Sequence, residues 1–140
     1  MGKTCVDYGG GAFDTSIKFL VEKGLIAHVY DPYNRDAAHN KAVLDWVDEI
    51  GGVDYVTSSN VLNVIKEEEV RLNVLRNMQL IGKENATFYF VTYEGNRSGV
   101  GAYSGKGWQN HRKTAEYLDE IRSIFPNVVK KGFLIIAKNN

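Results

Sequence analysis

Two carboxylates and a run of glycines are the residues of this chain whose types and spacing offer chemistry: Asp7, then Tyr8 and Gly9-Gly10-Gly11, then Asp31. Glycine has no Cβ, so it takes positive φ and lets another molecule come against the main chain. Three in a row after the apolar stretch KTCV therefore suit either a tight turn or a close-lying ligand. A dinucleotide fingerprint, G-x-G-x-x-G, would need its third glycine at Asp14, where a carboxylate would face the pyrophosphate; NAD is disfavoured. The nearest approach to a Walker A loop, Gly101, Gly105, Lys106 and Gly107, is one residue short between its glycines and lacks the hydroxyl that binds magnesium, which disfavours ATP hydrolysis. His28 and His39 have no Cys or carboxylate at ligand spacing, so no metal site is expected.

Elements must position these residues, and periodicity supplies them. KTCV reads as a short strand ending at Asp7. Asp14 or Thr15 can then cap a helix on which Phe13, Ile17 and Leu20 share a face, with Gly24 as its stop. LIAHVYD reads as a second strand ending at Asp31, followed by the turn chemistry of DPYNRD. Val43, Trp46, Val47 and Ile50 recur at helical spacing before Gly51 and Gly52. VDYVTSSNV is a third strand running into a polar turn, and the helix after it carries Val70, Val74, Met78 and Ile81 in one stripe, with an acidic first turn that suits its dipole. ATFYFVTYEG is a nearly continuous apolar run of the kind buried on both faces of a parallel sheet. The glycine-rich segment 96–112 is long for a connection, hence mobile or functional. A last helix places Ala115, Leu118, Ile121 and Phe125 on one side, and NVVKKGFLIIAK makes two short strands turning at Lys131 and Gly132.

This alternation predicts an α/β three-layer Rossmann-like fold, mostly parallel with a C-terminal antiparallel strand, because right-handed crossovers put helices over both sheet faces. Ligands of such sheets sit at the carboxyl ends of the strands where strand order reverses, and the glycine run stands at such an end. At 140 residues, the chain 1–140 reads as a single domain. Cys5 is the only cysteine, which forbids an intrachain disulfide and suits a small core residue. No leader and no apolar run of membrane-spanning length is seen, so a cytoplasmic protein without membrane attachment is expected. Net charge is zero, yet residues 1–95 hold 9 Lys+Arg against 14 Asp+Glu while residues 96–140 hold 8 against 3, which favours an anionic partner on the C-terminal side.

An acid ending the first strand, then x-G-x-G opening a helix, then a second acid ending the next strand, resembles the class I S-adenosylmethionine-dependent methyltransferases; here these are Asp7, Gly9, Gly11 and Asp31. The resemblance covers most of the chain. It implies the Rossmann-like methyltransferase fold, with Tyr8 to Gly11 lining the cofactor backbone, Asp7 helping to hold its methionine end, Asp31 taking the ribose hydroxyls, and Pro32 and Tyr33 walling the adenine. The sequence departs from the family pattern after Asp31: one helix leads directly to VDYVTSSNV, so the family's third strand, and the acid it often brings to the adenine, is missing or very short. The loop and tail resemble small stand-alone methyltransferase-like proteins of phages and bacteria, some described as DNA modification proteins.

SSNVLNVI stands where the family carries its fourth motif, without the prolines and aromatic that grip a flipped base and without a Pro-Cys pair for cytosine C5 chemistry. Methyl transfer from a sulfonium proceeds largely by placement, so a catalytic base need not be visible. The candidates beside the methyl group are Ser59 and Asn60, which would also touch the cofactor, and Tyr93, with Glu94 on the same rim. Arg97, Lys106, Trp108, Gln109, His111 and Arg112 mix charge with an aromatic surface, as base-stacking sites do, or else Trp108 packs on the sheet with the charges solvated. The expected activity is S-adenosylmethionine-dependent methyl transfer to a nucleic acid or nucleotide. The alternatives are a non-catalytic S-adenosylmethionine-binding protein, acting as sensor or partner subunit, and an enzyme that consumes S-adenosylmethionine without an acceptor. The oligomeric state is open.

Overall fold

The computed structural model describes residues 2–140. Strand β1 (Thr4–Tyr8) sends Val6 and Tyr8 to one face and Cys5 and Asp7 to the other, and all four are buried. Burial on both sides belongs to a central strand. β1 is one, pairing in parallel with β2 (Ile26–Tyr30) and β3 (Val53–Ser59). β3 continues in parallel to β4 (Gly82–Val91), which pairs antiparallel with β8 (Leu134–Lys138), and β8 pairs antiparallel with β7 (Asn127–Lys131). The order β2-β1-β3-β4-β8-β7 gives the expected mostly parallel sheet with an antiparallel C-terminal end. β2 is an edge strand, so the sheet stops where a further strand would have lain.

Helices α2 (Ala37–Ile50), α3 (Glu68–Ile81) and α4 (Leu118–Ile124) share one core with the sheet. Val43 and Val47, Leu75 and Met78, and Ile121 with Phe125 meet Val6, Val56, Phe88, Phe90 and Ile135. α2 is capped at both ends: Asp36 accepts from the His39 amide at 2.7 Å, and Gly51 closes the helix in the left-handed conformation at φ 77°. The opposite face carries Asp7, Thr57 and Tyr89 in register and, among the described residues, receives only the helix α1 (Thr15–Glu22), whose Ser16 Oγ donates to Asp7 Oδ2 at 3.0 Å. α1 buries none of its residues, and Phe13, expected on its inner face, is exposed. The two helical layers are therefore unequal.

Two helical stripes differ from their sequence expectation for identifiable reasons. α3 buries Arg71, Leu75, Met78 and Ile81, while Val70 is exposed. The rotation is set by Arg71, whose Nε and Nη2 donate to the two carboxylate oxygens of Glu120 on α4 at 2.9 and 2.7 Å. Before α4 the chain makes a 3-10 turn, Thr114–Tyr117, so Ala115 faces out and Tyr117 fills the core. The long segment 96–112 holds a hairpin, β5 (Ala102–Ser104) with β6 (Gly107–Gln109). Asn110 clamps it down, with its amide donating to Asn63 O at 2.9 Å and its Nδ2 to Leu62 O and Ile65 O, each at 3.0 Å.

Candidate functional site

Strand order reverses between β1 and β3, and above that point the strand ends and the first turns of α3 enclose a cleft of about 440 Å³. Tyr8 ends β1 and Gly9 follows it, Tyr30 ends β2 and Asp31 to Asn34 follow it, Asn60 and Val61 follow β3, and Asn73 and Asn77 face them from α3. The three glycines meet separate demands. Gly9 and Gly11 have positive φ, 77° and 87°, while a Cβ on Gly10 would stand 2.5 Å from Asp7 Oδ2. A Cβ on Gly11 would meet nothing within 4 Å, so the loop leaves open space over its own backbone there.

Asp31 is 2% exposed and organises the rim. Its carboxylate accepts from the amides of Gly11, Tyr33 and Asn34 at 2.9, 2.9 and 3.1 Å, and from Asn34 Nδ2 at 2.9 Å. Burial pushes this carboxyl up, but the bonds from Asn34, Tyr33 and Gly11 outweigh it and hold it below the ordinary carboxylate value. Asn40 fixes the same residue's backbone from α2 in both directions, at 3.1 and 2.9 Å. Arg35 completes the bridge, with Nε donating to Gly11 O at 2.8 Å and Nη2 to Asp14 at 2.7 Å. Asp14, a cap candidate in the sequence, makes no side-chain cap bond and serves this ion pair instead. Pro32 and Tyr33 line the cleft, Tyr33 fully at the surface. Asn34 and Arg35 carried no signal beyond turn composition and Asn40, on α2, carried none at all, because their roles depend on how the two loops meet.

Asp7 lies beneath the glycine loop, 5% exposed, accepting from Thr57 Oγ1 at 2.9 Å and Ser16 Oγ at 3.0 Å. Burial raises its carboxyl above the ordinary value against the pull of those two bonds. Cys5, one turn of the pleat below, is a core thiol pushed up to about 12 by burial and by Asp7. Among the described residues no cluster of three or more His, Cys, Asp or Glu could hold a metal ion, and His39 is spent donating to Val29 O at 2.7 Å.

At the end of β3 the structure separates the predicted pair. Asn60 takes the left-handed φ of 60° and forms the wall between the main cleft and a second hollow of about 410 Å³ at the end of β4. Ser59 is exposed on the α1 side and lines neither. Tyr93 and Glu94 both line the second hollow. The Glu94 carboxylate accepts from the Thr114 amide at 2.6 Å, which holds its pKa below the usual range and starts the 3-10 turn.

The basic-aromatic segment divides in the same way. Trp108 does not pack on the sheet: it stacks edge-on with Tyr103, ring centroids 5.0 Å apart, on the hairpin, and the Lys66 ammonium lies 4.8 Å over its ring. With Lys106 and Tyr33 these side chains line a third hollow of about 460 Å³ that continues the main cleft. His111 instead accepts from the Asn96 amide at 3.0 Å, and Arg112 is held by Glu116 O, Glu120 and the face of Tyr117. Gln109 bridges Asn63 and Tyr93 O. Lys66 and Tyr103 were missed, since neither stands at a motif spacing.

No family model matches the chain, and no curated protein does. Solved structures do. PigF with SAH superposes with a TM-score of 0.63 at 16% identity, over 99% of this chain and 50% of PigF, so the chain spans half of that protein's length. An S-adenosylmethionine-dependent methyltransferase from Mesorhizobium loti gives 0.63 at 11% identity over 97% of this chain and 89% of its own, and a SAM-dependent methyltransferase from Aquifex aeolicus gives 0.59 at 13% over 97% and 80%. What such likeness establishes is architecture: the six-stranded sheet and its flanking helices form a Rossmann-like methyltransferase fold.

Proposed function

We propose that residues 1–140 act as one S-adenosylmethionine-binding domain that transfers the methyl group to a nucleotide or nucleic acid in the cytoplasm. The observation that carries this reading is the placement of the open glycine loop and Asp31, bonded to each other, at the point of strand reversal. Support comes from the like-folded proteins, two of which are S-adenosylmethionine-dependent methyltransferases and one of which is described with SAH.

The residues fit the cofactor in particular ways. The space over Gly11 admits a ligand against the backbone, and the Asn34 amide on Asp31 occupies the place that a ribose diol would take by exchanging one donor for another. Pro32 and Tyr33 supply an adenine wall. Asp7, buried under Gly10, holds the loop and its charge from below without touching the ligand. S-adenosylmethionine brings its own electrophilic methyl, so the protein's task is placement. Asn60, on the wall between the two hollows, orients the reacting partners, with Tyr93 as the polar group on the acceptor side; Ser59 supports that turn. Glu94 fixes the acceptor wall, while Lys106 and Trp108 offer the continuing trough to a nucleotide, and His111 with Arg112 hold the hairpin's base.

The test is transfer of labelled methyl from S-adenosylmethionine to nucleotides, DNA and RNA. Transfer is expected with the native chain and lost with Asp31→Ala. The complete bonding of Asp31 within the protein favours one second reading, a non-catalytic S-adenosylmethionine-binding protein; binding without transfer identifies it. Breakdown of the cofactor with no acceptor present identifies a consuming enzyme.

A further inference from the structure

The hollow at the end of β4, across Asn60 from the main cleft, has features the fold does not need. Its apolar floor includes Phe133 of the β7–β8 turn, 65% exposed. Thr92 on the same wall is 4% exposed, and its Oγ1 has no hydrogen-bond partner among the described residues. That oxygen is sealed from the open space of the hollow, so Thr92 closes the wall and offers no contact of its own. Arg97 sits beside it at φ 63°, a conformation rare for a long side chain and one that clusters at functional positions.

The guanidinium is held without being used up. Arg97 Nε pairs with Glu94 Oε1 at 3.2 Å, and Glu94 is itself pinned by the Thr114 amide. The terminal nitrogens of Arg97 make no hydrogen bond among the described residues, and its side chain is 57% exposed. A guanidinium with two free donors recognises a carboxylate or phosphate in bidentate fashion. Tyr93 and Phe133 offer ring faces next to it.

We infer that this hollow binds a small planar molecule bearing a carboxylate or a phosphate, with its anion on Arg97 and its ring against Tyr93 and Phe133. A volume of about 410 Å³ suits one such ring and its anion, not a strand of nucleic acid. That the bound ring is the methyl acceptor rests on the function proposed above and takes its nucleotide-sized acceptor over a nucleic-acid strand, since Asn60 joins the two hollows; that the hollow binds an anionic ring does not.

Amide-resonance titrations of the full chain with phenyl phosphate, benzoate, benzyl alcohol and a single-stranded oligonucleotide, without and with S-adenosylhomocysteine, test this. Phenyl phosphate or benzoate should shift the amides of residues 92–97 and Phe133, and benzyl alcohol should bind roughly tenfold or more weakly. Arg97→Asn keeps a residue tolerant of positive φ and should erase the preference for the anionic ring, and Arg97→Lys should restore part of it. The inference is overturned if neither anionic ring binds, if Arg97→Asn binds them unchanged, if benzyl alcohol equals benzoate, or if the oligonucleotide binds more tightly than both independently of Arg97. Absence of S-adenosylhomocysteine binding would remove the acceptor assignment alone, and the titrations made without it would still decide the site.

Discussion

Asp7 and Asp31 share a residue type and a place at a strand end, yet their environments push them in opposite directions. Asp31 is held below the ordinary carboxylate value in the folded chain, so its stabilising contribution is present above the unfolded value and disappears as pH falls through the folded one. Asp7 is held above it, so its contribution is complete below the unfolded value and is lost as pH rises through the folded one. Asp7→Asn, which keeps an acceptor for Thr57 or Ser16, should therefore gain stability relative to the native chain as pH rises from about 3 to about 7. Chemical denaturation across that interval measures it, and a difference independent of pH would refute the assignment. Both carboxylates were legible in the sequence as residues that matter; which one lines the cleft was not, because that depends on the pleat. Alternation puts Asp7 on the α1 face beneath Gly10, while Asp31 ends its strand and turns inward through the amides that follow it.

At the scale of elements, periodicity located every strand of the main sheet and the four α-helices among the described residues. It failed where a polar residue took an inward position. Arg71 is buried on α3 only because Glu120 waits on α4, 49 positions along the chain, and no local pattern announces such a pair. Arg71 also donates to Ile65 O and Lys66 O at 2.8 and 2.9 Å, which ties the floor of the aromatic trough to the two helices. Arg71→Met should thus cost roughly 3 kcal/mol, the low end of the penalty for breaking a buried pair because Arg112 Nη1 remains 3.4 Å from Glu120, measured by urea denaturation. The double variant Arg71→Met with Glu120→Leu should recover much of that loss. The β5–β6 hairpin escaped detection because its strands are three residues each and its fixings, from Asn110 to Leu62 and Ile65, are long-range. Asn110→Ala should free it, and increased amide exchange over residues 101–109 with unchanged exchange in β1, β3 and β4 would show this.

Over the whole molecule, one sheet carries three helices on one side and, among the described residues, a single short helix on the other, and the strand ends bring Tyr8, Gly9, Asp31 to Tyr33 and Asn60 around one cleft with Tyr93 and Glu94 at the neighbouring hollow. The cations of segment 96–112 are divided among separate places: Arg112 is spent on α4 and the turn before it, whereas Arg97 and Lys106 reach separate hollows. No helix among the described residues is long and apolar enough to cross a membrane. The proposed function requires an adenosyl ligand resting between the glycine loop and the Asp31 turn. Titrating the labelled protein with S-adenosylhomocysteine tests this most directly: the amides of Gly9 to Gly11 and of Asp31 to Asn34 should move together and saturate, and should stay still in Asp31→Ala. Movement confined to other parts of the chain, or the same amides answering to a dinucleotide diphosphate and not to S-adenosylhomocysteine, would contradict it.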